Sequence, residues 1–269
     1  MSIVYIVSAP SGSGKSTLVN ELFKMVRNLD FSISYTTRPP RGSEQNGKEY
    51  FFVSKAEFEA MIAADEFLEF ATVFGNYYGT ARRFLGEAEN RSNDLLLDID
   101  VQGASKIKEK IPEAVSIFIL PPDREKLEWR LRSRGLDSEE VIRRRLDTAR
   151  REIENYEKYD YILVNDLLEQ SADQLRDIVL AERLRRGGTE LSGEEKQLVE
   201  AAQACRLDRA RERVQPILAS FNPQAGKTNV GSLLHRLAGW IRRVSKCNRY
   251  WLRLIRRQSR AAEIRGRDV

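Results

Sequence analysis

Nine residues constrain this chain most. Ala9 to Thr17, APSGSGKST, lie between an apolar run, IVYIVS, and a segment with helical periodicity, LVNELFKMV. A strand, a glycine-rich turn and a helix in that order turn several backbone N–H groups toward one point. That point is also the positive end of the helix dipole, so an anion such as phosphate is favoured there. Gly12 and Gly14 permit the turns and a close approach, Lys15 can reach terminal phosphates, and Ser16 can ligate Mg2+. The candidate nucleotide loop is the whole run: Ala9, Pro10, Ser11, Gly12, Ser13, Gly14, Lys15, Ser16 and Thr17. Ala9 stands where the usual pattern has glycine, and its methyl is tolerable if the backbone there has negative φ.

Strands and helices alternate along the chain, which argues for a parallel sheet covered on both faces. Buried strands are expected over residues 3–7, 94–100 (DLLLDID), 115–120 (VSIFIL) and 161–164. Helices are expected over 16–26, over 123–134 with Asp123 as cap, over 138–157 with Ser138 as cap, and over 172–186. Residues 32–81 change character: Pro39, Pro40, Gly42, Gly47, YFFV and NYYG read as a small β-rich insert with one helix near 55–64. The expected fold is α/β and three-layered, with a parallel sheet core, that insert, a helical lid and a helical C-terminal extension. The first domain spans 1–186, with core 1–31, 82–121 and 155–186, insert 32–81 and lid 122–154. Residues 187–221 read as a charged extension in which 194–219 can form one helix, and 222–269 as a basic tail.

The net charge of +5 is unevenly held. Residues 222–269 carry 12 Lys and Arg against 2 Asp and Glu, while the remainder holds 33 against 38. The body is therefore no polyanion binder on the strength of charge. The tail, with Trp240 and Trp251, could meet anionic lipid or RNA. A partner-packing helix, or a poorly ordered extension without selected function, is the preferred reading. Cys205 and Cys247 show no paired spacing and His235 is the single histidine, which excludes a disulfide framework and multi-histidine metal sites. No apolar run approaches the roughly 20 residues of a membrane span, and a cytoplasmic location is expected.

Further along, SYTTRPPRG places Arg38 and Arg41 three residues apart beside stiffening prolines, a pair of guanidinium forks suited to a dianionic monophosphate. Together with SAPSGSGKST, this segment, EYFFV, EF followed by GNYYGT, LLLDIDVQG, RLRSRG, and the stretch from EEVIRRRL to VND give the chain, from about residue 3 to 184, a pattern that resembles the guanylate kinases among nucleoside monophosphate kinases. The resemblance implies transfer of a phosphoryl group from ATP, with Mg2+, to GMP and also to dGMP, within purine metabolism. It implies that Ser34, Arg38, Arg41, Tyr50 and Tyr78 bind the GMP phosphate. Glu69 and Thr80 would read the guanine edge, threonine standing where serine is common. It further implies that the lid arginines, Arg134 and Arg145 foremost and Arg130 with them, neutralise the transferring phosphates, and that Asn165 contacts adenine.

Asp98 and Asp100 end a strand whose C-terminal end should face the ligand crevice. Asp100 is assigned to the metal–water shell, and could also cap a helix, while Asp98 is assigned to the acceptor side. Gly103 lets the chain pass close to ligand. Arg143, Arg144, Arg150 and Arg151 read as a solvated face. The alternatives are a related kinase of a sugar bisphosphate and a non-catalytic guanylate-kinase-like module. The second is disfavoured by the intact Gly14, Lys15 and Ser16.

Overall fold

The computed structural model describes residues 2–73, 75–133, 135, 137–188 and 190–222. The first core elements are β1 (Val4–Ser8), α1 (Lys15–Met25) and β2 (Leu29–Ser32). The insert follows as β3 (Tyr35–Thr36), β4 (Phe51–Phe52), α2 (Lys55–Ala63), β5 (Phe67–Val73) and β6 (Asn76–Ala81). The chain returns through α3 (Arg83–Arg91), β7 (Asp94–Asp98), α4 (Val101–Lys110) and β8 (Val115–Leu120). Then come α5 (Arg124–Ser133), α6 (Glu139–Ile153), β9 (Tyr161–Val164), α7 (Leu168–Gly187), α8 (Gly193–Gln203) and α9 (Leu207–Phe221).

Five strands form an all-parallel sheet in the order β2-β7-β1-β8-β9, so the strand leading into the glycine loop is central. Side chains alternate across a strand, and here both faces are covered, which is why these strands read as unbroken apolar runs. Val4, Ile6, Leu95, Leu97, Phe118 and Leu120 pack on one face with α4, α5, α6 and α9. Ile3, Tyr5, Val7, Leu96, Ile117 and Ile119 pack on the other with α1 and α7. The expected apolar stripe of α6 is buried through Ile142, Leu146, Ala149 and Ile153, and the Ser138 hydroxyl accepts the Val141 N–H at its start. Asp123 caps α5 by accepting the Lys126 N–H at 2.6 Å.

The insert is a separate four-stranded sheet, β4-β3-β6-β5, with its own aromatic packing of Phe58 on Phe67 and Tyr77 and of Tyr35 on Phe51. Sequence reading assigns no element to β2, α3 or α4, and carries the strand now seen as β7 to Asp100. β7 ends at Asp98 because Asp100 turns to cap α4.

The charged extension is not one helix. α8 and α9 are separated because Cys205 and Arg206 leave the helix to meet the outer edge of the sheet: Cys205 O accepts the Ile162 N–H at 2.7 Å, and Leu207 donates to Asp160 O at 3.1 Å. Ala210, Val214, Ile217 and Phe221 of α9 are buried in the core on one face of the parallel sheet, so the extension is part of the compact unit that runs from Met1 to Phe221. The basic tail from residue 223 on, with Trp240 and Trp251, lies outside the described residues. Among the described residues no helix is long and apolar enough to cross a membrane.

Candidate active site

The glycine loop joins the C-terminal end of β1 to the first turn of α1. Gly12 and Gly14 adopt φ of 97° and 88°, conformations that side-chain-bearing residues rarely hold. Ala9 is not among the described residues with positive φ, so its methyl costs no backbone strain, and it packs against the apolar layer under α1. Two side chains brace the loop from outside. Asn165 donates from Nδ2 to Ser13 O at 2.7 Å, and Arg130 donates to Ser13 O at 3.4 Å and to Asn165 O at 2.9 Å. Arg130, expected among the lid arginines, is thus tied to loop carbonyls.

Lys15 is ion-paired with Asp98 across the mouth of the loop. Burial works against its ammonium, but the charge and hydrogen bond of Asp98 outweigh burial and raise the pKa above the ordinary lysine value. Lys15 therefore stays cationic. Ser16 and Thr17 are exposed on the first turn of α1.

The expected acceptor residues gather on the insert. Arg38 is buried, with its guanidinium 5.3 Å from the Tyr50 ring centre and 5.6 Å from that of Phe52. Its Nε donates to the Tyr78 hydroxyl at 3.2 Å, and its fork grips Glu44. Ser34 is buried and Arg41 exposed on the same strand–turn segment. Glu69, on β5, is 5% exposed, and Thr80 of the paired strand β6 donates to its Oε1 at 2.9 Å. Read alone, Glu69 would pass for a surface glutamate, but the protein buries it. Burial lifts its pKa to about 7; Thr80, Lys106 and Lys110 oppose the rise and Asp100 adds to it.

The two sets lie close to each other. Burial raises the Tyr50 pKa, and the charges acting on the phenol come from both sides: Asp98 and Lys15 at the loop, Arg38 with Tyr78 on the insert. Gly103 leaves room for Glu69 beside Asp100. A Cβ there would fall 2.8 Å from Glu69 Oε2 and 3.3 Å from Asp100 Oδ1. Asp100 caps α4 through the Gly103 N–H at 2.8 Å and so lies beside Glu69. Asp98, expected on the acceptor side, is thus paired with Lys15, and Asp100, expected in the metal–water shell, lies beside Glu69. The strand ends at Asp98, and Asp100 turns with the helix start to cap it.

Of the lid arginines, Arg145 of α6 reaches Ser11 Oγ at 3.5 Å and pairs with Asp137 at 3.2 Å. Arg134 lies outside the described residues. Arg143, Arg144, Arg150 and Arg151 are exposed. Sequence reasoning missed Glu44 and Glu152, both inside charge-rich runs that look solvated. Glu152 of α6 has an enclosed Oε2 without a hydrogen-bond partner. Its pKa rises to about 7 through burial, against the pull of Lys15 and with a push from Asp100. No group of three or more His, Cys, Asp or Glu among the described residues could hold a metal on its own. Ser16 is exposed next to Lys15, which Asp98 pairs, so hydroxyl and carboxylate oxygens, donors of the hard type that Mg2+ takes, are present at the loop.

A model of the guanylate kinase family matches residues 1–182. A guanylate kinase of Koribacter versatilis is 61% identical over 221 residues, covering 81% of this chain and 95% of that protein. One from Neisseria meningitidis serogroup A is 51% identical over 183 residues, covering 68% and 89%. The crystal structure of a guanylate kinase from Anaplasma phagocytophilum is similar at a TM-score of 0.57 and 38% identity, over 67% of this chain and 86% of that one.

Proposed function

Because the chain belongs to the guanylate kinase family, we propose that it moves the terminal phosphoryl group of ATP in line onto the phosphate of GMP, and of dGMP, with Mg2+, in purine nucleotide metabolism. The observation that carries this reading is the nearness of two charged sets, the Lys15–Asp98 pair at the loop and the Arg38–Tyr78 pair on the insert, with the Tyr50 ring against Tyr78 and influenced by both.

Backbone N–H groups of the loop, with Lys15, hold the donor phosphates. The nucleophile is an oxygen of GMP that is already ionised, so no strong base is required. The protein's task is to align the two phosphates, exclude water and stabilise spreading charge. Arg38, Arg41, Tyr50, Tyr78 and Ser34 hold the acceptor phosphate. Glu69 and Thr80 offer oxygens to the N1–H and N2–H2 of guanine, donors that adenine lacks on that edge, so AMP is rejected. Arg145 and Arg134 bring charge from the lid, and Arg130 and Asn165 keep the loop in shape beside the adenine. Ser16, with Asp98 or Asp100 through water, would hold Mg2+. The ion supplies charge neutralisation on the donor phosphates.

Release of ADP with GMP, dGMP, AMP or UMP as acceptor tests the proposal. Turnover is expected with GMP and dGMP and is lost in Lys15→Ala. Unchanged turnover in Lys15→Ala, or equal use of AMP, would overturn it, and ribose 1,5-bisphosphate serves as the control for a sugar-bisphosphate kinase.

A further inference from the structure

The buried guanidinium of Arg38 is held from behind. Glu44 takes both arms of its fork, Nη1 to Oε2 at 2.8 Å and Nη2 to Oε1 at 3.1 Å. The same Oε2 accepts the backbone N–H of Arg41 at 2.7 Å. One carboxylate therefore ties the side chain of one arginine to the main chain of the other across the Pro39–Pro40 turn. Arg38 is 6% exposed and lies over aromatic rings, where an unpaired guanidinium would be costly. Its Nε goes to Tyr78 and its Nη1 also to Pro39 O at 2.7 Å. Four of its five N–H groups are engaged in this way, and the fifth, on Nη2, is the one it can turn to an incoming anion.

We propose that Glu44 is a positioning residue for the acceptor phosphate: it holds the Arg38 fork and the Arg41 backbone in the binding geometry before the nucleotide arrives and keeps them there. The proposal rests on reading Arg38 as a partner of that phosphate. Burial alone would raise the Glu44 pKa, but the hydrogen bonds from Arg38 and from the Arg41 backbone hold it below the usual carboxylate range, so the clamp stays anionic. A bidentate carboxylate limits a long side chain to one orientation, and the ordering cost is then met on folding rather than on binding. The competing role is a placeholder, a carboxylate occupying the phosphate's seat and displaced by it. The two roles predict opposite signs.

The test uses the full chain as Glu44→Gln, Arg38→Lys and the double variant, with KM for each nucleotide and kcat measured separately and folding followed by circular dichroism. Glu44→Gln is expected to raise the KM for GMP about tenfold, the scale of a lost charged hydrogen bond, with the KM for ATP and kcat nearly unchanged. The double variant should be no worse than Arg38→Lys, because both changes disable one device. A lower or unchanged KM for GMP in Glu44→Gln, or costs that multiply in the double variant, would overturn the proposal. Should Glu44→Gln fail to fold, Glu44→Asp, which keeps the charge and shortens the arm, is expected to give a smaller rise in the same KM, and an unchanged one overturns the proposal equally. If Arg38→Lys leaves the KM for GMP unchanged, the acceptor reading itself fails. If Arg38→Lys raises it and Glu44→Gln does not, only the role of Glu44 fails.

Discussion

At Gly14 a side chain has nowhere to go. Its φ is 88°, and an added Cβ would lie 2.4 Å from Asn165 Nδ2, a group already fixed on Ser13 O. Gly14→Ala is therefore expected to weaken ATP binding at least tenfold, with backbone strain of about 1–2 kcal/mol added to the clash. Ala9→Gly, in the same loop, should leave activity within about twofold and lower stability by roughly 0.5–1 kcal/mol, because only the unfolded chain gains freedom. Steady-state kinetics and urea unfolding of both variants check the contrast. Glu69 makes a pH prediction. Its folded pKa of about 7 lies above the ordinary carboxylate value, so the folded protein takes up a proton more readily than the unfolded chain. The stability this brings is full below the unfolded pKa and is lost as pH rises toward 7. At about 1.4 kcal/mol per unit the loss is on the order of 3 kcal/mol. Unfolding of the nucleotide-free protein at pH 5 and pH 8 should show this drop shrinking in Glu69→Gln. An equal drop in both proteins would show that Glu69 ionises as freely as in water.

Elements that obey one period were readable, and those defined by a turn were not. β1, β8 and β9 are buried on both faces and announce themselves as apolar runs, and α6 keeps its stripe through Ile153. β3 and β4 have two residues each, too short for any period to register. The break between α8 and α9 arises from backbone pairing with the edge of β9, which no side-chain pattern encodes. The same limit applied to the site. The loop and the paired arginines stand out as strings, while the pairing of Glu44 with Arg38 and the burial of Glu152 arise only in the fold, and the positions of Asp98 and Asp100 depend on where the strand stops. α4 was also unread, yet it carries Lys106 and Lys110, whose ammonium groups donate to Phe70 O and Leu68 O of the strand bearing Glu69. These lysines fasten the insert strand to the core and lower the Glu69 pKa. The double variant Lys106→Met with Lys110→Met should raise the KM for GMP several-fold and leave that for ATP unchanged. An equal rise for both nucleotides would instead point to a general loss of structure.

For the molecule as a whole, the boundary that matters is the one at Phe221, beyond the end of the family match at residue 182. The sequence placed the kinase boundary at 186 because the residues after it are charged and loosely patterned. Yet Val214, Ile217 and Phe221 of α9 join the cluster that contains Leu127 and Leu131 of α5 and Ile142 and Leu146 of α6. Ser220 Oγ also accepts the Arg124 N–H at 3.0 Å, at the very start of α5. The helices that carry Arg130 and Arg145 therefore rest partly on the extension. A chain ending at residue 186 would bare this seam, and each large apolar side chain returned to water costs about 1.5–3 kcal/mol. A few such losses rival the whole stability of a domain, about 5–15 kcal/mol. The 1–186 fragment is expected to be poorly soluble or to melt well below the full chain. The 1–221 fragment should retain the thermal midpoint within a few degrees and the same kcat for GMP. Matching midpoints for 1–186 and 1–221 would mean that α9 adds nothing to the core, and a collapse of 1–221 would move the boundary into the tail.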